Sequence, residues 1–120
     1  MAPHISRIIL FVADLPKVAA FYQQHFGMET VGPEEDGWIE LGAGGCNLAL
    51  HRGKLPAGVS SHSPAKIVFA VSDVRAEVER LTGEGLKFGK VHEWNGFSFA
   101  DTKDPAGNPI QLSSRGVAKA

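Results

Sequence analysis

The run from Arg7 to Leu15, RIILFVADL, returns from Lys66 to Val74 as KIVFAVSDV, at a constant offset of 59 residues in a chain of 120. Self-similarity at a period of half the chain constrains the fold more than any single motif, because each copy must be one supersecondary unit. Both copies begin with a basic residue, pass through β-branched and aromatic residues, and end in a small residue, an aspartate and an aliphatic residue. That pattern reads as a strand handing over to a helix. Asp14 and Asp73 are the expected N-caps, since a short carboxylate accepts from the free amides of a first helical turn. Pro16 is tolerated there for the same reason: first-turn amides have no intrahelical partner. Val18, Phe21, Tyr22 and His25 then mark one helical face before Gly27, and Val74, Val78 and Leu81 do so before Gly83 and Gly85.

Three strand-like segments follow each helix. The first copy has Met28–Val31, Gly37–Leu41 and Cys46–His51, and the second has Leu86–His92, Phe97–Ala100 and Pro109–Ser113. Residues 101–108 connect the last two, with the tight-turn sequence DPAGN from Asp104 to Asn108. The chain is therefore α+β, two βαβββ modules at about 4–51 and 65–115 within one domain, joined by a linker at 52–64.

Strand alternation sorts the faces. Ile8, Leu10 and Val12, with Leu48, Leu50, Ile67, Phe69, Val71, Ile110 and Leu112, form uniformly apolar sets that should pack on the helices. The opposite sets are mixed. If Leu41 pairs with Cys46, then Trp38 and Glu40 share a concave face with Asn47, Ala49 and His51. That face carries Arg7, Phe11, Trp38, Glu40, His51, Lys66 and Gln111, a set of aromatic walls and convergent polar groups suited to a small-molecule ligand. Cys46 falls by parity on the helix side as a small buried hydrophobe.

Composition removes several classes of function. Twelve basic and thirteen acidic residues leave a net charge of −1 without a basic stripe, so no nucleic-acid partner is expected. The longest apolar run, Ile8 to Ala13, is far short of the ~20 residues of a membrane span, and no signal peptide precedes it. A single cysteine excludes an internal disulfide framework and fits a cytoplasmic location.

The paired modules, the opening ILFVADL with its later Phe21-Tyr22 and Phe26-Gly27, and the closing DPAGNPIQL from Asp104 to Leu112 resemble the vicinal oxygen chelate superfamily. This group includes glyoxalase I, bleomycin-resistance proteins and extradiol dioxygenases. The resemblance implies a curled eight-stranded mixed sheet around a shared cavity, helices outside, and a homodimer. In metal-dependent members it implies ligands at the positions of Arg7, Ala49, Lys66 and Gln111. Of these only Gln111 offers a lone pair, through its amide oxygen, so no metal and no cofactor are expected at that place.

Several readings stay open. In the first, the protein is a metal-free binder of a small molecule with an acidic group and a ring body. Arg7 and Lys66 would neutralise the acid, and Phe11 and Trp38 would hold the ring. In the second, it is a lyase, isomerase or dioxygenase of the superfamily, either with a metal displaced onto His51, Glu40 and Gln111 or with an acid–base site on His51 and Glu40, His51 being the best general acid–base candidate. In the third, it is a structural or vestigial domain with no ligand, its cavity filled by Phe11, Trp38 and their neighbours; the bland counterpart of the cation pair is an Arg7–Glu40 or Lys66–Glu40 bridge that only closes the core. His4, His25, His62 and His92 show no ligand spacing, and the serines at 60, 61 and 63 read as linker.

Overall fold

A computed structural model describes residues 5–42, 44–53 and 65–117. The chain divides into two compact units, Met1–Ser60 and Ser61–Ala120. The first is built from β1 (Arg7–Val12), α1 (Leu15–Phe26), β2 (Glu29–Thr30), β3 (Trp38–Gly42) and β4 (Asn47–Arg52). The second repeats the order as β5 (Ile67–Ala70), α2 (Val74–Gly83), β6 (His92–Trp94), β7 (Phe97–Lys103) and β8 (Pro109–Ser113). The eight strands thus form two four-stranded mixed sheets, ordered β1-β4-β3-β2 and β5-β8-β7-β6. In each, the first and last strands of the unit run parallel and the remaining pairs are antiparallel.

Both helices start where the aspartates direct. The Asp14 carboxylate accepts from the Lys17 amide at 3.2 Å, and Asp73 accepts from the Ala76 amide at 3.0 Å. Gly27 ends α1 in the left-handed region, at φ 64°, which a residue without Cβ adopts at little cost. Helix α1 buries Leu15, Val18, Ala19 and Tyr22 over β3 and β4, and α2 buries Val74 and Leu81 over β7 and β8. Leu41, Leu48 and Leu50 complete the first core, and Ala100, Ile110 and Leu112 the second. Removing each such large side chain from water contributes roughly 1.5–3 kcal/mol. Ile8 departs from its expected place in the core. It lies near the start of β1, the edge strand of its sheet, while α1 packs on β3 and β4, and it remains 48% exposed.

The register between β3 and β4 differs from the expected one: Leu41 pairs with Leu48, not with Cys46. The difference is an even number of residues, so every side chain keeps its face. Cys46 precedes β4 and is half-buried, with its thiol 3.7 Å from the carbonyl of Asn47, not a residue of the core. Strand β2 is shorter than expected, and β6 begins only at His92. Residues 86–89 instead take irregular bonds: Leu86 N–H donates to the Leu81 carbonyl and Gly89 N–H to that of Asp101. Strand β7 continues three residues past Ala100, so Asp101 lies in the sheet, not in the connection. The turn after it forms as expected. Asp104, 5% exposed, accepts at one oxygen from the Ala106 and Asn108 amides and at the other from the Asn108 side chain.

His4, His62, the serines at 60, 61 and 63 and most of the expected linker, 54–64, lie outside the described residues. Among the described residues, no helix is long and apolar enough to cross a membrane.

Candidate functional site

In the first unit the register fixes a row of side chains on the face away from α1. Arg7 pairs with Asn47, Ile9 with Ala49, and Phe11 with His51 across β1 and β4. Glu40 pairs with Ala49 and Trp38 with His51 across β4 and β3. Alanine opposite Glu40 leaves room for longer neighbours to reach the carboxylate. Arg7 Nε donates to Glu40 Oε1 at 3.2 Å, and Asn47 Nδ2 donates to Oε2 at 2.9 Å. The Asn47 amide, opposed by burial and aided by the guanidinium, holds the Glu40 carboxyl below its ordinary range. The Glu40 side chain is 11% exposed and that of Arg7 46% exposed, so the carboxylate is the inner member of the pair.

Beyond this clamp the face turns aromatic. The Phe11 and His51 rings lie 5.3 Å apart, and Trp38 meets His51 edge-on at 6.0 Å. His51 Nδ1 is 2.8 Å from the carbonyl oxygen of Arg52. A carbonyl can only accept, so Nδ1 carries a proton, and in the neutral tautomer that leaves the lone pair on Nε2. Gly53 permits the Phe11 placement, since a Cβ there would meet the phenyl ring at 3.3 Å.

The second unit repeats the clamp with different residues. Lys66, just before β5, donates from Nζ to Asp101 Oδ1 at 2.9 Å, and Gln111 Nε2 donates to the same oxygen at 3.1 Å. Asp101 and Gln111 are direct partners across β7 and β8. Through the repeat, Lys66 stands where Arg7 stands, Asp101 where Glu40 does, and Gln111 where Ala49 does. An aromatic stretch follows here also. His92 stacks on Phe99 at 5.0 Å, Phe97 lies 6.0 Å from Phe99, and the Arg115 guanidinium sits 5.3 Å over Phe97. Trp94, opposite Phe97, is 65% exposed.

The structure brings Arg7 to Glu40, Phe11 and Trp38 to His51, and Lys66 to Gln111 through Asp101. The expectation that Lys66 turns to Glu40 is corrected: its carboxylate is Asp101. Sequence reading left Asp101, His92, Trp94, Phe97 and Phe99 out of the site. The alternation of Phe97, Phe99 and Asp101 after Asn95-Gly96, a dipeptide that favours two-residue hairpin turns, was the available signal.

The donor chemistry does not fit a divalent ion at the four superfamily positions. The first unit supplies a guanidinium at Arg7 and a methyl group at Ala49; the second supplies an ammonium at Lys66 and one amide oxygen at Gln111. Both oxygens of Glu40 are already engaged by Arg7 and Asn47. Among the described residues, no three His, Cys, Asp or Glu side chains gather as a metal would require.

Comparison with known proteins agrees with the topology. No curated protein matches the chain. Among solved structures, lactoylglutathione lyase from Agrobacterium tumefaciens superposes with a TM-score of 0.74 at 22% identity, covering 93% of both chains. SMU.1112c does so at 0.78 and 20%, covering 94% of this chain and 99% of its own. TnmS3, an antibiotic binding protein from Streptomyces sp. CB03234, gives 0.72 and 20%, with 92% and 94% covered. At these identities the likeness is one of fold. Residues 4–112 match the model of the Glyoxalase/Bleomycin resistance protein/Dioxygenase superfamily, and the chain belongs to that family.

Proposed function

We propose that the protein is a metal-independent member of its superfamily that binds a small, ring-bearing molecule on the open faces of its sheets. One observation carries this reading. Cations locked to carboxylates, Arg7 to Glu40 and Lys66 to Asp101, stand where a metal-dependent relative would need lone-pair donors. An ion arriving in either unit would have to displace that unit's pair and still find ligands. Aromatic side chains beside each clamp offer flat apolar surface at low entropic cost, which favours a planar partner. The description of TnmS3 as an antibiotic binding protein supports binding as the activity of such a fold. In this reading the protein acts as a homodimer in the cytoplasm, and sedimentation velocity tests the dimer.

Elemental analysis tests the metal-free claim. After dialysis against zinc, nickel, manganese and ferrous iron in turn, the purified protein should retain far less than one ion per chain. Stoichiometric retention of any of them sinks the proposal.

A second reading is favoured by one detail, the tautomer of His51. With Nδ1–H held by the Arg52 carbonyl, Nε2 can serve as a general base toward a molecule lying on Phe11 and Trp38. If turnover of any substrate is found, His51→Ala should lower kcat by about 100-fold or more. A variant that keeps full kcat removes this reading and leaves the binder.

A further inference from the structure

The two clamps are electrically closed but not chemically silent, and what they leave open is the same in both units. An ionised carboxylate only accepts hydrogen bonds, so each amide must turn its NH2 toward the acid and its oxygen away. Asn47 Nδ2 faces Glu40, which leaves Asn47 Oδ1; Gln111 Nε2 faces Asp101, which leaves Gln111 Oε1. Among the described residues, no buried side-chain polar atom lacks a partner, so these two oxygens are within reach of solvent or a ligand. On the cation side, Arg7 uses Nε and keeps the N–H groups of both Nη atoms, and Lys66 uses one of its three N–H bonds. Each clamp therefore presents spare donors from a cation beside a spare acceptor from an amide. The carboxylate between them cancels the cation's charge.

From this arrangement we propose that each clamp recognises an uncharged donor–acceptor group, such as a carboxamide, lactam or hydroxyl-bearing carbonyl, carried on an aromatic ring. Glu40 and Asp101 are then specificity determinants that reject carboxylate ligands. The inference rests on the binding function proposed above and narrows it: the acidic ligand expected from Arg7 and Lys66 as bare cations gives way to a neutral one. A second carboxylate arriving at Arg7 would meet Glu40, whose charge is kept by Asn47 and Arg7. At Lys66 it would meet Asp101 in the same way. A neutral amide finds N–H donors for its oxygen and an amide oxygen for its N–H, and brings no charge to be repelled. Phe11, Trp38 and His51 in one unit, and His92, Phe97 and Phe99 in the other, supply the apolar contact for the ring.

The test compares two probes of one shape, naphthalene-2-carboxamide and naphthalene-2-carboxylate, titrated into the full chain at neutral pH by calorimetry and tryptophan fluorescence. The carboxamide should bind at least about tenfold tighter than the carboxylate. Its affinity should also hold between about 50 and about 500 mM salt, because no net charge is neutralised. Glu40→Gln and Asp101→Asn should each tighten carboxylate binding about tenfold or more by releasing a cation, and that gain should fade with salt. Should Glu40→Gln fail to fold, Asp101→Asn on the more exposed clamp and the salt series on the unaltered protein still decide. A carboxylate that binds as tightly as the carboxamide, or variants that leave the ratio unchanged, overturns the inference while leaving small-molecule binding intact. If neither probe binds at low millimolar concentration, the binding function falls and the inference with it.

Discussion

The two units solve one problem with two residue sets. In the first, a long acid, Glu40, is met by a short amide, Asn47, set one step diagonally along β4; the residue directly opposite, Ala49, is only a methyl group. In the second, a short acid, Asp101, is met by a long amide, Gln111, from the directly opposite position. The sum of reach is about equal, so the carboxylate ends up held in both. The inner acid of the first unit is the more enclosed, 11% exposed against 40% for Asp101. Strand parity and total side-chain length therefore matter to this construction more than residue identity does. The arginine clamp holds the more enclosed acid, and the lysine clamp is about half exposed at both ends.

The comparison is most exposed to failure in the cores. Leu50 and Leu112 occupy equivalent sites and are both fully buried. Leu50→Ala and Leu112→Ala should each lower stability by about 2–5 kcal/mol in urea unfolding. The two losses should agree to within about 1 kcal/mol. A much larger gap would mean that the units share topology but not energetics. Next come the helix caps. Asp14→Ala and Asp73→Ala should each cost about 1 kcal/mol, because each removes the acceptor for one first-turn amide.

The clamps give the smallest effects and the sharpest contrast. Glu40 is held below its ordinary value near 4.5, mainly by Asn47 and Arg7. A lowered carboxylate adds stability above its unfolded value and loses it as pH falls through the folded one. The unfolding midpoint of the unaltered protein, relative to Glu40→Gln, should therefore decline as pH drops below about 4.5. A difference that is flat with pH would deny Glu40 its inner role. Lys66–Asp101, about half exposed at both ends, should be worth less than about 1 kcal/mol when Asp101→Asn is compared at neutral pH, and less again in salt.

Much of this was legible in the sequence because parity is robust. The strand–Asp–helix handover appears twice, and both aspartates cap as their position requires. The face carrying Arg7, Trp38, Glu40 and His51 survived a wrong pairing for Leu41, since the error was two residues and not one. What was missed has a physical cause in each case. The DPAGN turn starts at Asp104, but turn residues say little about where the strand before them ends, and Asp101 was assigned to the connection. Leu86 looked like the start of a strand because it is apolar; it is spent closing the end of α2, where its amide reaches the Leu81 carbonyl. Which amide serves which acid depends on register and reach together, and a single sequence specifies neither.

The Asp104 turn bears on how the second clamp keeps its register. Its carboxylate gathers near neighbours, the Ala106 and Asn108 amides and the Asn108 side chain, and so braces the turn that joins β7 to β8. The matching β3–β4 connection carries Gly44 and Gly45, which lack side chains to brace it. Bracing the Asp104 turn helps hold Asp101 and Gln111 opposite one another in the ribbon that it joins.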